Sequence, residues 1–361
     1  MQNDITRSLK NSISFIIPVY NSDAYIKMCV NSILQSARNT SLPIELILVN
    51  DGSTDNSLVC CEELAEKDNR IHVLNQKNMG ICTARNSGLH IAKGEWICFI
   101  DHDDVFDVDG LSVIEKVIDE KCDIIYFGFD EFYSEEKLDK GKVLGDEKEF
   151  SQEEISKLQW DCLCRYKANK PLMSYRLLTT PWGKIYKKDF LDKNELRFID
   201  SLRREEDVTF NLMCLSRCKE AKWYPYSLYH YRKFISSESH SYKARIVQDA
   251  EQVLAVYKDI IDQYYPSDHR MQELYDFRIL WELLYCVVLG PAHINNPKNY
   301  FQRKKEFKEI INLEMYVAVF EKVDVKCLPM LHRVLGIFVK QKCFLALVIM
   351  TRVEALINKI R

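Results

Sequence analysis

Through residue 132 the chain alternates short apolar runs with stretches of helical period. Ile13 to Val19 (ISFIIPV) is a nearly unbroken apolar run rich in β-branched residues, the pattern of a strand covered on both faces. Ser22 stands where an N-cap is expected, ahead of Tyr25, Met28, Cys29 and Ile33, whose spacing marks one buried helical stripe. A second run, Ile44 to Val49, leads into the turn Asn50-Asp51-Gly52-Ser53, and helical character follows from Asp55 to Lys67. The alternation continues with a strand at Ile71 to Leu74, a helix at Gly80 to Ala92 and a strand at Trp96 to Ile100. A helix at Asp109 to Asp119 and a strand at Asp123 to Phe132 complete it. This order predicts an α/β fold with a Rossmann-like, mostly parallel sheet flanked by helices and joined by right-handed crossovers. Ligands of such sheets sit beyond the carboxyl ends of the strands, where Asn21, Asp51 and Asp101 fall.

From Tyr133 to Glu149 the chain is charged and aperiodic, as expected of a surface loop able to fold over a substrate. Helical spacing returns from Gln152 to Tyr166. A strand is expected at Lys184 to Lys187, a helix from Glu205 to Cys218 and a strand from Lys222 to Tyr226. The serine-rich ISSESHS stretch after Tyr231 marks a boundary, giving a first domain over 1–232 and a helical carboxy-terminal region over 233–361. Helical pattern fills the second region from Tyr242, with breaks at Pro266, Gly290-Pro291 and Pro329. Its last segment, Leu328 to Arg361, mixes aliphatic residues with Lys340, Lys342, Arg352, Lys359 and Arg361. Two placements fit it: a basic amphipathic helix on an anionic membrane surface, or helix-on-helix packing within the appendage.

Composition narrows the partners. A formal net charge of −3 over 361 residues supplies no strong cationic field, so nucleic acid is not an expected partner. The thirteen cysteines include no pair spaced for a zinc site, and free buried thiols in a reducing cytosol are the expectation. The polar start, MQNDITRSLKNS, lacks the apolar core of a signal peptide, and the best apolar stretch, Val334 to Met350, is interrupted by Lys340 and Lys342. The expected location is therefore the cytoplasm, with no spanning helix.

Asp101-His102-Asp103-Asp104 ends a predicted strand. Carboxylates so close repel one another, and a divalent cation offsets that repulsion; hard oxygen ligands select Mg²⁺ or Mn²⁺. A solvated acidic turn is the alternative for such a cluster standing alone. It does not stand alone. Ser14 to Asn21 (SFIIPVYN), Val49 to Asp55 (VNDGSTD), Asn78-Met79-Gly80 through Ala84-Arg85-Asn86, and Phe99 to Asp104 (FIDHDD) occur in an order and at separations that resemble family-2 glycosyltransferases of the GT-A fold. The resemblance is close over 12–110, a donor-binding half, looser over 180–232 within an acceptor half of 111–232, and absent beyond.

The resemblance implies a UDP-sugar donor bound at the strand ends. Pro18, Tyr20 and Asn21 would line the nucleoside, with Tyr20 stacked on uracil and Asp51 accepting a hydrogen bond from the base. Closure of the core by Tyr20 and capping of the Asp-Gly turn by Asp51 are the structural alternatives. Gly80 would admit close backbone approach, and Arg85 and Arg232 would reach the diphosphate. Asp101 and Asp103 match the family's D-x-D, with Asp101 also near the ribose and both at a Mn²⁺ or Mg²⁺ ion. Asp104 is either a further ligand or a supporting partner. Downstream, Glu206 and Asp207 match the family's E-D pair, and Asp207 is the expected general base; acidic residues at a helix start also serve the helix dipole. Trp182, in PWGKIY, would stack on an acceptor sugar or else belong to the core. His230, in YHYR, is a further candidate for the metal shell, with a hydrogen-bonded structural role as the other reading.

A dinucleotide-binding G-x-G-x-x-G, a P-loop and the Q-x-x-R-W of processive synthases are absent from the chain. The expectation is a metal-dependent inverting glycosyltransferase. It would transfer one sugar to a glycan or lipid-linked oligosaccharide acceptor in capsule, exopolysaccharide or lipopolysaccharide synthesis. A non-catalytic nucleotide-sugar-binding subunit and a nucleotidyltransferase are the competing classes; intact Asp101, Asp103 and Asp207 oppose the first, and the missing glycine-rich basic phosphate loop opposes the second.

Overall fold

A computed structural model describes residues 11–133, 140–164, 171–233 and 241–360. The chain divides into two compact units, Met1–Gln159 with Leu172–Ile235, and Trp160–Pro171 with Ser236–Arg361.

The first unit is built on nine strands: β1 (Ile13–Val19), β2 (Ile44–Asp51), β3 (Ile71–Gln76), β4 (Trp96–Phe99), β5 (Val105–Phe106), β6 (Ile124–Phe132), β7 (Lys148–Glu149), β8 (Lys184–Lys187) and β9 (Ala221–Arg232). Between them lie helices α1 (Ile26–Ser36), α2 (Ser57–Lys67), α3 (Ile81–Ile91), α4 (Gly110–Val117), α5 (Gln152–Leu163), α6 (Tyr175–Thr179), α7 (Lys188–Lys193) and α8 (Glu206–Arg217). Among the described residues the strands form one sheet in the order β3-β2-β1-β4-β8-β6-β9-β5, with β7 paired to β9. Every residue of β1 is buried, as its unbroken apolar run requires of a strand covered on both faces. Each large side chain taken out of water there contributes roughly 1.5–3 kcal/mol.

The α/β architecture is the expected one, and the sheet is mixed. Pairs β1–β2, β1–β4 and β2–β3 are parallel, as the alternating pattern predicts. Beyond them β8 runs antiparallel to both β4 and β6, and β9 is parallel to β6. The strand expected to stop at Tyr226 continues to Arg232. Its register on β6 jumps from Phe127↔Tyr224 to Gly128↔Ser227, so Pro225, which has no N–H for a ladder bond, sits in a bulge rather than ending the strand.

Ser22 does not cap α1. Its backbone carbonyl accepts from Tyr25 and Ile26, while its hydroxyl is buried without a hydrogen-bond partner. The loop expected at 133–149 is described from residue 140, where it lies along β9: Val143 bridges Tyr226, and Gly141 N–H donates to Asp107.

The second unit is helical: α9 (Ile246–Tyr264), α10 (His269–Leu289), α11 (Tyr300–Ile311), α12 (Glu314–Lys322), α13 (Met330–Lys340) and α14 (Phe344–Ile360). Its breaks coincide with Pro266, Gly290-Pro291 and Pro329. Asp268 caps α10 through Arg270 N and Met271 N, and Asn299 with Gln302 forms a capping box on α11. No described helix is long and apolar enough to cross a membrane. The cysteines whose side chains are described are free, and all of these are buried except Cys343.

Candidate active site

Four strand ends and one helix start converge on the site. At the end of β1 the chain turns through Asn21, which takes a left-handed φ of 49°. Its carboxamide accepts from Thr54 N–H at 2.8 Å, and its own N–H donates to Ser53 Oγ, which ties the first turn to the second. Tyr20 is 46% exposed, an aromatic face left open at this edge. Pro18 lies in a central strand, yet its missing N–H costs no ladder bond. The pairing of β1 with β4 ends at Ile16↔Phe99, and His102 Nδ1 meets the Pro18 carbonyl at 3.2 Å instead.

At the end of β2, the Asp51 carboxylate receives Gln76 Nε2 at 2.7 Å, Met79 N–H at 2.9 Å and Gly80 N–H at 2.8 Å. It is buried and pins the approach to α3. Gly80 has φ 93°, and Gly52, at φ 68°, has Asn78 N only 2.6 Å from where a Cβ would stand. The two glycines let these loops cross. Asp51 thus anchors the segment leading into α3 rather than capping its own Asp-Gly turn.

The acidic cluster after β4 separates into distinct roles. Asp104 is buried: Arg232 N–H donates to one oxygen at 2.7 Å and the Tyr229 hydroxyl to the other. Burial and the neighbouring Asp101 and Asp103 charges push its pKa well above the usual carboxylate range. Both oxygens are engaged, so Asp104 supports the loop from β9. Asp101 and Asp103 remain half-buried at the edge, and the Asp103 pKa is raised by burial, offset by His102 and raised again by Asp101. Among the described residues no group of three or more histidines, cysteines and acidic residues is placed to hold a metal ion. Asp101 and Asp103 are the residues that would hold a divalent cation, through the hard carboxylate oxygens that Mg²⁺ and Mn²⁺ take. The two crowded carboxylates fit that demand.

Arg85, expected to reach the diphosphate, is 1% exposed and faces inward. Nη2 pairs with Asp101 Oδ1 at 3.0 Å and Nη1 with Asp207 Oδ1 at 2.6 Å, while the guanidinium lies over the Phe198 ring at 5.1 Å. Its role is to join two carboxylates. Asp207 lies in the first turn of α8, after Glu205 in a left-handed conformation at φ 61°. Its side chain keeps 27% exposure. Burial raises its pKa, the Arg85 charge lowers it, and Glu206 and Asp101 raise it again, leaving it at about 7. Beneath it, Asn211 donates to the Asp207 carbonyl and accepts from the buried Lys184 and from Tyr186.

Three expected site residues are engaged in the packing of the fold. Trp182 offers no face to an acceptor: it is 2% exposed and stacked on Tyr229 at 4.4 Å, with Tyr231 at 5.6 Å. His230 is not available to a metal, because Nδ1 meets Asp130 at 2.5 Å and Nε2 meets Asp107 at 3.2 Å. Burial lowers its pKa, but the two carboxylates outweigh that and hold it at about 9, so the imidazolium is a clasp between β6, β9 and the segment after β5. Arg232 donates through Nε to the Asp103 carbonyl at 2.9 Å and packs on Phe132 and Tyr25. It holds the acidic loop from behind.

Two contributors carried no assignment from sequence. Tyr229 supports the loop through Asp104 and Asp101 N–H. Asn86 clamps the backbone of Phe198 with reciprocal bonds of 2.9 and 2.8 Å, and Asp200 bonds both Asn86 and Thr83. That clamp fixes the segment leading to Asp207. The Ala84-Arg85-Asn86 motif and the alternating Tyr229-His230-Tyr231 were the visible signals.

The mixed sheet, with Asp51 and Asp101 at its strand ends and an acidic helix start joined to Asp101 through Arg85, is of the GT-A fold type. Residues 14–173 match the family described as Glycosyl transferase family 2. The chain is 27% identical over 305 residues to the uncharacterised glycosyltransferase EpsJ of Bacillus subtilis (strain 168), covering 84% of each chain. It is 32% identical over 227 residues to the glycosyltransferase GlyA of Streptococcus pneumoniae serotype 4, covering 62% of this chain and 30% of that protein. In fold it is similar to S. aureus TarS 1–349, solved in complex with UDP-GlcNAc, with a TM-score of 0.59 at 18% identity over 94% of this chain and 90% of that one.

Proposed function

We propose that the protein is an inverting transferase that moves a single sugar from a UDP-sugar to a glycan or lipid-linked acceptor in capsule, exopolysaccharide or lipopolysaccharide synthesis, on the cytoplasmic side. Residues 1–232 would carry catalysis and 233–361 an accessory role. The observation that carries this reading is the ion-paired line Asp101–Arg85–Asp207, which couples the donor edge of the sheet to a carboxylate poised to accept a proton.

On this reading Tyr20 stacks on the uracil, with Pro18 and Asn21 shaping the edge and Asp51 and Gly80 fixing the loop beside it. The acceptor hydroxyl attacks the anomeric carbon from the face opposite the departing UDP. Asp207 takes the hydroxyl proton, and a pKa near the working pH suits a general base. Arg85 keeps the Asp207 carboxylate in place, and Glu206 adds negative charge behind it. Asp101 and Asp103 are the residues that would hold Mn²⁺ or Mg²⁺, which when bound stabilises the charge gathering on the diphosphate.

The test incubates the full chain with a panel of UDP-sugars, with and without Mn²⁺. Release of UDP, accelerated by a lipid-linked acceptor and giving product of inverted anomeric configuration, is expected. Release of pyrophosphate from UTP and a sugar phosphate would instead identify a nucleotidyltransferase.

A further inference from the structure

The last two helices of the second unit are apolar on two faces rather than one. On α13, Leu335, Gly336 and Val339 are buried. Met330 is 82% exposed, Leu331 49% and Val334 36%, and Ile337 and Phe338 beside them are half-buried. At roughly 100° per residue these five side chains fall within an arc of about 120°, turned away from the buried face. Arg333 and Lys340 are exposed along one border of that arc.

Helix α14 repeats the arrangement. Phe344, Leu347, Val348 and Thr351 are buried. Leu345, Ile349 and Val353 recur every four residues on the opposite side at 59%, 52% and 48% exposure, with the exposed Arg352 beside them. Ordinary packing of a helix in a bundle accounts for the buried stripes and leaves the exposed ones unexplained, because water penalises aliphatic surface gathered into a patch.

Charge identifies what fits. Residues 328–361 carry six basic side chains, Arg333, Lys340, Lys342, Arg352, Lys359 and Arg361, against one acidic, Glu354, in a chain whose net charge is −3. Aliphatic stripes bordered by long cationic side chains suit a surface that is apolar just beneath a layer of negative charge. The stems of lysine and arginine then lie along the apolar layer while their heads meet the anionic groups. Neither helix is long and apolar enough to cross a membrane, so the geometry is that of lying on it.

We propose that the exposed face of α13 and α14 docks the protein on an anionic phospholipid surface. This goes beyond the transferase reading and does not depend on it, since adsorption needs no turnover.

The experiment sediments the full chain with vesicles of phosphatidylglycerol and phosphatidylcholine, and with vesicles of phosphatidylcholine alone. Binding to the anionic vesicles is expected, with roughly tenfold weakening at high salt. The double variant Leu345→Glu with Ile349→Glu, at two exposed positions, is expected to keep the wild-type circular dichroism and melting temperature while its vesicle affinity falls at least about tenfold. Equal binding to both vesicle types, or equal binding by variant and wild type, overturns the proposal. A wild-type dimer in solution that the same variant turns into a monomer also overturns it, by assigning the face to a second copy of the chain. UDP release from the donor, read on the same preparations, is expected to be unchanged by the variant. Loss of UDP release in the wild type would refute the transferase reading and leave the docking result standing.

Discussion

Arg85 reaches Asp207 at 2.6 Å across 122 positions of sequence, and the bond fixes the acidic start of α8 against the end of β4. Arg85 is buried and pairs with Asp101 through its other terminal nitrogen, so one guanidinium serves both the donor edge and the expected base. Neither carboxylate can be moved without the other feeling it.

The pH dependence follows from the Asp207 environment. With its pKa raised to about 7, the carboxyl is protonated below that value and cannot accept the hydroxyl proton. Turnover under saturating donor should rise with pH through about 7 and flatten above it. A rate already flat from pH 5 would place the base elsewhere.

Replacing Arg85 by methionine removes the one positive charge holding Asp207 down, so the rising limb should move to higher pH. The change also leaves two carboxylates unpaired. Breaking a buried pair costs about 3–5 kcal/mol, and the lower end applies here because both carboxylates keep 27% exposure. Denaturant titration reads the loss, and the pH–rate profile reads the shift.

Asp103→Ala should abolish turnover that depends on added Mn²⁺ or Mg²⁺ without unfolding the chain, since its side chain is half-buried at the edge of the sheet. Chelation of the wild type should give the same loss. A variant with near-normal rate would remove Asp103 from the ion.

Two aromatic residues separate packing from binding. Trp182→Ala should destabilise the first unit by about 3–5 kcal/mol, because it empties a stack against Tyr229. Tyr20→Ala should leave stability nearly unchanged and weaken UDP binding, as titration calorimetry would record. The reverse outcome would exchange their roles.

The alternating strands and helices up to β6, apart from the two-residue β5 that forms only against β9, were legible because each is a local pattern: an apolar run such as Ile13 to Val19 states its own burial. Asp101, Asp103 and Asp207 were legible as candidates, since their residue types and order carry the resemblance. What could not be read locally is direction. Arg85 on α3 faces inward only because α8 brings Asp207 over it from a distant part of the chain. His230 and Trp182 look like site residues in sequence, and they become structural once β6 supplies Asp130 and β9 supplies Tyr229. The extension of β9 from Tyr226 to Arg232 was not legible, since it pairs with β6 across a register shift at Gly128 that a distant strand sets.

The most direct measurement compares wild type and Asp207→Asn for UDP affinity by calorimetry and for transfer by single turnover. The pairing of Asp207 with Arg85 predicts UDP affinity within about twofold of wild type and transfer slowed by roughly 10²-fold or more. Transfer at the wild-type rate would contradict the assignment of Asp207 as the proton acceptor.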